Sequence, residues 1–250
     1  MERPIRVGIT HGDINGVGYE VILKMLEDNR LLELCTPVVY GSAKIAAFYR
    51  KLLEMPNVPF TQVKSGEDIV DGQNNIINVV PEDVKVEPGV SSPEAGKAAF
   101  ISLERAVADL RAGHIDVLVT SPINKHNIQS PTFTFPGHTE YLEATVGEGN
   151  KALMVLCNNE MRIALVTTHM PLAEVPKHIT KEAILEKLHI FNRSLVRDFG
   201  IEAPRIAVMS LNPHAGEDGL LGTEENEIII PAIAAAKEQK ILAFGPYASD

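Results

Sequence analysis

Short β-branched runs alternate along this chain with longer segments of helical periodicity, and that alternation constrains the fold more than any other feature. RVGIT (6–10), PVVYG (37–41), NIINVV (75–80), DVLVTS (116–121), ALMVL (152–156), RIALVTT (162–168), RIAVMSL (205–211) and ILAFG (241–245) read as strands. Between them lie helical patterns. Residues 19–28 place Val21, Ile22, Met25 and Leu26 on one face. Residues 92–113 carry Ser92 as a cap, Pro93 in the first turn and Gly113 at the end. Thr180 and Gly200 bracket a third helix, and 223–239 reads as a fourth with a kink at Pro231. Strand–helix alternation predicts an α/β fold with a mainly parallel sheet. One segment breaks the rule: ALMVLCNNEMRIALVTT reads as two strands joined by a short turn, an antiparallel hairpin. With a length of 250 residues, this break predicts two lobes, divided between Ile123 and Gly137 into 1–125 and 126–250.

The charge balance narrows the partners. The net charge is −10 and the pI about 5.3, with no Lys/Arg cluster, which argues against nucleic acid as a ligand. An anionic small molecule stays open, because a pocket can be locally positive on an acidic protein. Cys35 and Cys157 stand far apart in apolar surroundings, so no disulfide framework is expected and a cytoplasmic location is the default. MERPIRVGIT lacks the apolar core of a signal peptide, and the longest apolar run, 228–236, is far short of the ~18 residues of a membrane span.

In open α/β sheets ligands bind beyond the carboxyl ends of the strands. Four such exits here are polar and reactive: HGDINGVG after 6–10, SPINKH after 116–120, HMP after 162–168, and NPHAGEDG after 205–211. Imidazole is a common ligand of zinc and its neighbours, so His169 and His214 are candidate metal ligands. The alternative is that each bonds a loop backbone. FPGHTEYL (135–142) places His138 and Thr139 at the start of a helix, where free N–H groups and the dipole favour an anion. The alternative there is a plain cap by Thr139. Gly16 and Gly18 fit a dinucleotide fingerprint only loosely, and a tight strand-to-helix turn is the better reading. Lys125 is a candidate base or simply an exposed loop lysine. No P-loop, G-x-S-x-G or C-x-x-C motif occurs.

In combination, GITHGDINGVGYEVILK, TSPINK, FPGHTEYL, VTTHMPL and SLNPHAGEDGLLGTEENEIIIPAI resemble the 4-hydroxythreonine-4-phosphate dehydrogenases of pyridoxal phosphate biosynthesis. The resemblance runs from about Arg6 to the end. Its first loop departs from the common family wording at His11, Asp13 and Ile14. It implies the two-lobed α/β fold of the isocitrate and isopropylmalate dehydrogenases, with a C-terminal part lying beyond this chain. It implies a divalent ion (Zn, Mg, Mn or Co) held by three histidines, two of which match His169 and His214. The third is expected downstream of residue 250. It implies substrate contacts from His138 and Thr139, NAD or NADP as oxidant, and a homodimer with the active site at the subunit interface. The expected reaction is oxidation of 4-phosphohydroxy-L-threonine to 2-amino-3-oxo-4-phosphobutanoate, which decarboxylates to 3-amino-2-oxopropyl phosphate. Rival expectations are a sibling dehydrogenase acting on threonate or erythronate phosphate, a non-catalytic binding homologue, and a metallohydrolase.

Overall fold

The computed structural model describes residues 3–250, which separate into two compact units divided after Asn150. In the first unit a five-stranded sheet has the order β3-β4-β2-β1-β5: β1 Arg6–Thr10, β2 Thr36–Gly41, β3 Thr61–Val63, β4 Asn75–Asn78 and β5 Val117–Thr120. All its pairs are parallel. β2 is buried at every position, as a strand covered on both faces must be. Helices α1 (Gly18–Leu26), α2 (Leu31–Leu34), α3 (Ala43–Leu52) and α4 (Pro93–Arg111) supply the crossovers. α4 starts as expected, with the Ser92 hydroxyl accepting from the Ala95 N–H and Pro93 in the first turn. α3 and β3 are additional to the sequence expectation. TQV is too short to show an alternation, and α3 follows β2 after a single capping residue, Ser42.

The polar, proline-containing stretch at 123–137 does not divide the units. Its Ile128 and Phe133 are buried with Tyr141 against Ala99, Leu103 and Val107 of α4. Phe100, Phe133, Phe135 and Tyr141 pack together with centroids 5.4–5.9 Å apart, edge-on except for the tilted Phe133–Tyr141 pair. This apolar anchorage draws α5 (His138–Val146) into the first unit, and the division falls after Asn150.

The second unit opens with the expected antiparallel hairpin, β6 (Val155–Cys157) and β7 (Arg162–Ala164). Asn158 builds its turn: the side-chain carbonyl accepts from the Glu160 and Met161 N–H groups. α6 (Val175–His178) and α7 (Lys181–Arg197) follow. β8 (Arg205–Met209) and β9 (Leu242–Tyr247) then form a parallel pair around α8 (Ile230–Glu238). Ile184, Leu188, Phe191 and Leu195 of α7 face Ile229, Ala232, Ile233 and Ala236, forming this unit's own core. The helix expected over 223–239 is composite. Glu225–Ile229 is wound as a wider π-turn, and α8 follows it directly with Pro231 in its first turn.

Candidate active-site elements

The first strand exit is a packed structural knot. Gly12 takes a left-handed φ of 69°, and a Cβ there would lie 2.3 Å from the Pro122 carbonyl. A Cβ on Gly18 would lie 2.0 Å from the His11 carbonyl. The glycines therefore serve close backbone approach, as the tight-turn reading expects. Asp13 accepts from the Asn15 N–H (2.8 Å) and the Asn127 amide (3.1 Å), tying this loop to the one after β5. His11 is fully buried, stacked on Tyr19 with centroids 5.4 Å apart. Neither of its ring nitrogens makes a hydrogen bond, although Gly12 and Ala98 backbone groups lie nearby. Burial pushes its pKa down to about 4, so it is neutral.

At the start of α5 the Thr139 cap is not formed. Gly137 is the capping residue and no side chain caps the first turn, so its N–H groups remain available. His138 is half-buried and its Nε2 has no partner. Burial, then the charge of Lys125, holds it below the usual imidazole pKa. Lys125 is exposed, and its Nζ would lie 3.9 Å from a Cβ placed on Gly137. The helix N-terminus and the Lys125 ammonium favour an anion here, against the Glu140 carboxylate, an oxygen of which would lie 3.6 Å from the same Cβ.

The other two histidines stand on strained loops of the second unit. His169 is exposed at φ 36°. His214 begins a left-handed run, with φ of 52°, 53°, 78°, 42° and 53° from His214 to Asp218. Each non-glycine residue there costs roughly 1–2 kcal/mol against a right-handed conformation, so surrounding contacts must hold the loop. Two acids do. The Asp250 carboxylate lies 2.5 Å from His214 Nδ1 and accepts from its backbone N–H at 3.0 Å. That hydrogen bond holds Asp250 below the usual carboxylate range. Glu225, buried, accepts from the N–H groups of Leu211 (2.8 Å) and Asn212 (2.7 Å) and from the Asn212 amide (2.9 Å). Burial raises its pKa, but the bonds from Asn212 and Leu211 outweigh it, and the carboxyl is held ionised.

Neither acid was singled out from the sequence. Asp250 follows β9, a strand exit that carries no histidine, and Glu225 hides among the acids that open an apolar run. Three further histidines make local contacts: His114 with Asp109, His178 with the Glu174 carbonyl and His189 with Gln239.

The donor chemistry at His214 suits a divalent ion. A carboxylate on Nδ1 fixes the tautomer and leaves the Nε2 lone pair free, the usual arrangement behind a metal-bound histidine. His169 offers a second imidazole. Among the described residues no three His, Cys, Asp or Glu side chains converge to hold a metal ion.

Comparison with known proteins identifies the family. Residues 33–250 match the family model described as pyridoxal phosphate biosynthetic protein PdxA. The 4-hydroxythreonine-4-phosphate dehydrogenase of Bacteroides thetaiotaomicron is 57% identical over 249 residues, covering 100% of this chain and 68% of that protein. Its namesake from Aquifex aeolicus is 39% identical, covering 98% of this chain and 74% of that protein. The crystal structure of the enzyme of that name from Klebsiella pneumoniae superposes with a TM-score of 0.87 at 29% identity, over 99% of this chain and 74% of that one. The fold is therefore the α/β fold of these oxidoreductases, and the chain belongs to the 4-hydroxythreonine-4-phosphate dehydrogenase family.

Proposed function

We propose that this protein carries out the metal-dependent, NAD(P)-linked oxidation of 4-phosphohydroxy-L-threonine to 2-amino-3-oxo-4-phosphobutanoate, which then decarboxylates to 3-amino-2-oxopropyl phosphate. The observation that carries the reading is the start of α5, where Gly137 supplies no side-chain cap, Lys125 stands nearby, and His138 and Thr139 occupy the first turn. A phosphate ester fits that donor set, since the helix end and the lysine supply positive charge and the hydroxyl and imidazole supply direction. His138 is neutral there, so it donates one hydrogen bond without adding charge.

The reaction takes a hydride from a secondary carbinol carbon and a proton from its oxygen. The resulting ketone lies β to a carboxylate, which leaves as carbon dioxide. When bound, NAD or NADP supplies the hydride acceptor, and a divalent ion (Zn, Mg, Mn or Co) supplies Lewis acidity at the hydroxyl. His169 and His214 would hold that ion, and Asp250 orients His214 by accepting from Nδ1. The family resemblance further supports a homodimer, with its active site at the subunit interface, working in the cytoplasm.

The test measures NADH or NADPH formation from 4-phosphohydroxythreonine, with threonate phosphate as the comparison, with and without added metal. Metal-dependent reduction with the first substrate supports the reading, and reduction with threonate phosphate alone replaces it with the sibling reaction. Thr139→Val should raise KM about tenfold with little change in kcat, the loss of roughly one hydrogen bond to a charged group. An unchanged KM would remove Thr139 from the phosphate site.

A further inference from the structure

We infer that Glu225 is a positioning residue: its buried carboxylate clamps the strained loop that carries His214 in the conformation that binds metal. The inference rests on the reading of His214 as a metal ligand.

The loop does not hold itself. Its run of left-handed residues, four of them not glycine, is anchored from the first turn of the neighbouring helix. One oxygen of Glu225 receives two consecutive backbone N–H groups, at Leu211 and Asn212, directly ahead of Pro213 and His214. The other receives the Asn212 amide and lies where it would be 2.8 Å from any Cβ on Gly216, two residues beyond His214. The carboxylate thus holds the loop by hydrogen bonds ahead of the histidine and lies against Gly216 beyond it. The wider turn at Glu225–Ile229 belongs to the same device, because it starts the helix at the residue whose side chain points back into the loop. Asn212 is held from a second direction as well, its amide also donating to Glu224 at 2.7 Å. Asp250, by contrast, orients the ring itself. One acid sets the backbone and the other sets the imidazole.

The experiment uses the whole protein and Co²⁺ as the probe. Glu225→Gln keeps the shape but turns one acceptor into an NH₂ that faces the Asn212 amide. The expected result is a Co²⁺ Kd raised at least tenfold, an altered d–d absorption band, and amide exchange over 211–218 at least tenfold faster in metal-free protein. His214→Ala is the control for the underlying reading, and it should abolish the Co²⁺ band. Wild-type Kd, band and loop exchange in Glu225→Gln, alongside lost binding in His214→Ala, would overturn the clamp. Unchanged binding in His214→Ala would overturn the ligand reading, and the exchange rates alone would then judge whether Glu225 holds the loop. If Glu225→Gln does not fold, Gly216→Ala presses on the same oxygen from the loop side. It is compared with Gly219→Ala, which is also at positive φ but whose Cβ meets nothing closer than 3.9 Å. Only Gly216→Ala should weaken Co²⁺ binding, and equal effects from both would overturn the inference.

Discussion

His11 is enclosed beside Tyr19 with two ring nitrogens that find no hydrogen-bond partner. Protonating it inside the fold would bury an unpaired charge, so the native state favours the neutral ring. Its pKa falls from 6.5 to about 4 on folding. For a base shifted downward, the unfolded chain binds the extra proton between those two values. Stability is therefore complete above about pH 6.5 and declines as the pH drops toward 4, by about 3 kcal/mol in total. Urea unfolding across this range should show that slope. His11→Phe, which keeps an aromatic ring on Tyr19 but cannot titrate, should flatten it. An equal slope in the variant would place the pH sensitivity elsewhere. The sequence placed His11 among the reactive strand-exit histidines because residue type and position were all it offered. Only packing separates it from His169 and His214, which stand exposed on left-handed loops.

Helix α4 meets the loop after β5 with no room between them. A Cβ on Gly96 would lie 1.9 Å from the Asn127 carbonyl, backbone against backbone. Gly96→Ala should cost about 3 kcal/mol or more, because neither partner can rotate away. Gly113→Ala, at φ 75° with open space around it, should cost only about 1 kcal/mol. Chemical denaturation of the pair checks the contrast, and similar losses would show that conformation rather than contact governs Gly96. Thr180→Ala, which removes the hydroxyl that accepts from the Ala183 N–H at 3.1 Å, should cost about 1 kcal/mol.

Caps of this kind were legible in the sequence, as at Ser92 and Thr180, because the signal spans three residues. The strand exits and the Asn158 hairpin were legible for the same reason. What was not legible depends on distant partners. Thr139 reads as a cap, yet Gly137 takes that place. The 123–137 stretch reads as a boundary, yet Ile128 and Phe133 bury under α4. Glu225 reads as one acid among several until its oxygens are seen gripping a loop more than ten residues upstream.

At the scale of the whole molecule, the two units have separate hydrophobic cores: β1, β2 and β4 with α1, α3 and α4 in one, and α7 and α8 with β8 and β9 in the other. No helix among the described residues is long and apolar enough to cross a membrane. Leu156, Met161 and Ile163 leave the β6–β7 hairpin with an exposed apolar side, in keeping with the proposed homodimer. Light scattering should return twice the 27.3 kDa chain mass, and a mass equal to one chain would remove the dimer from the proposal.

The strand order has a consequence for how the chain is made. β1 lies between β2 and β5, so this inner strand of the sheet is made before both of its neighbours. β2 can join it early, but its other edge waits for Val117–Thr120, roughly 4–15 s later at ordinary rates of synthesis. Through that interval the nascent chain holds out an open row of N–H and carbonyl groups, and whatever shields them during translation governs the yield of folded protein.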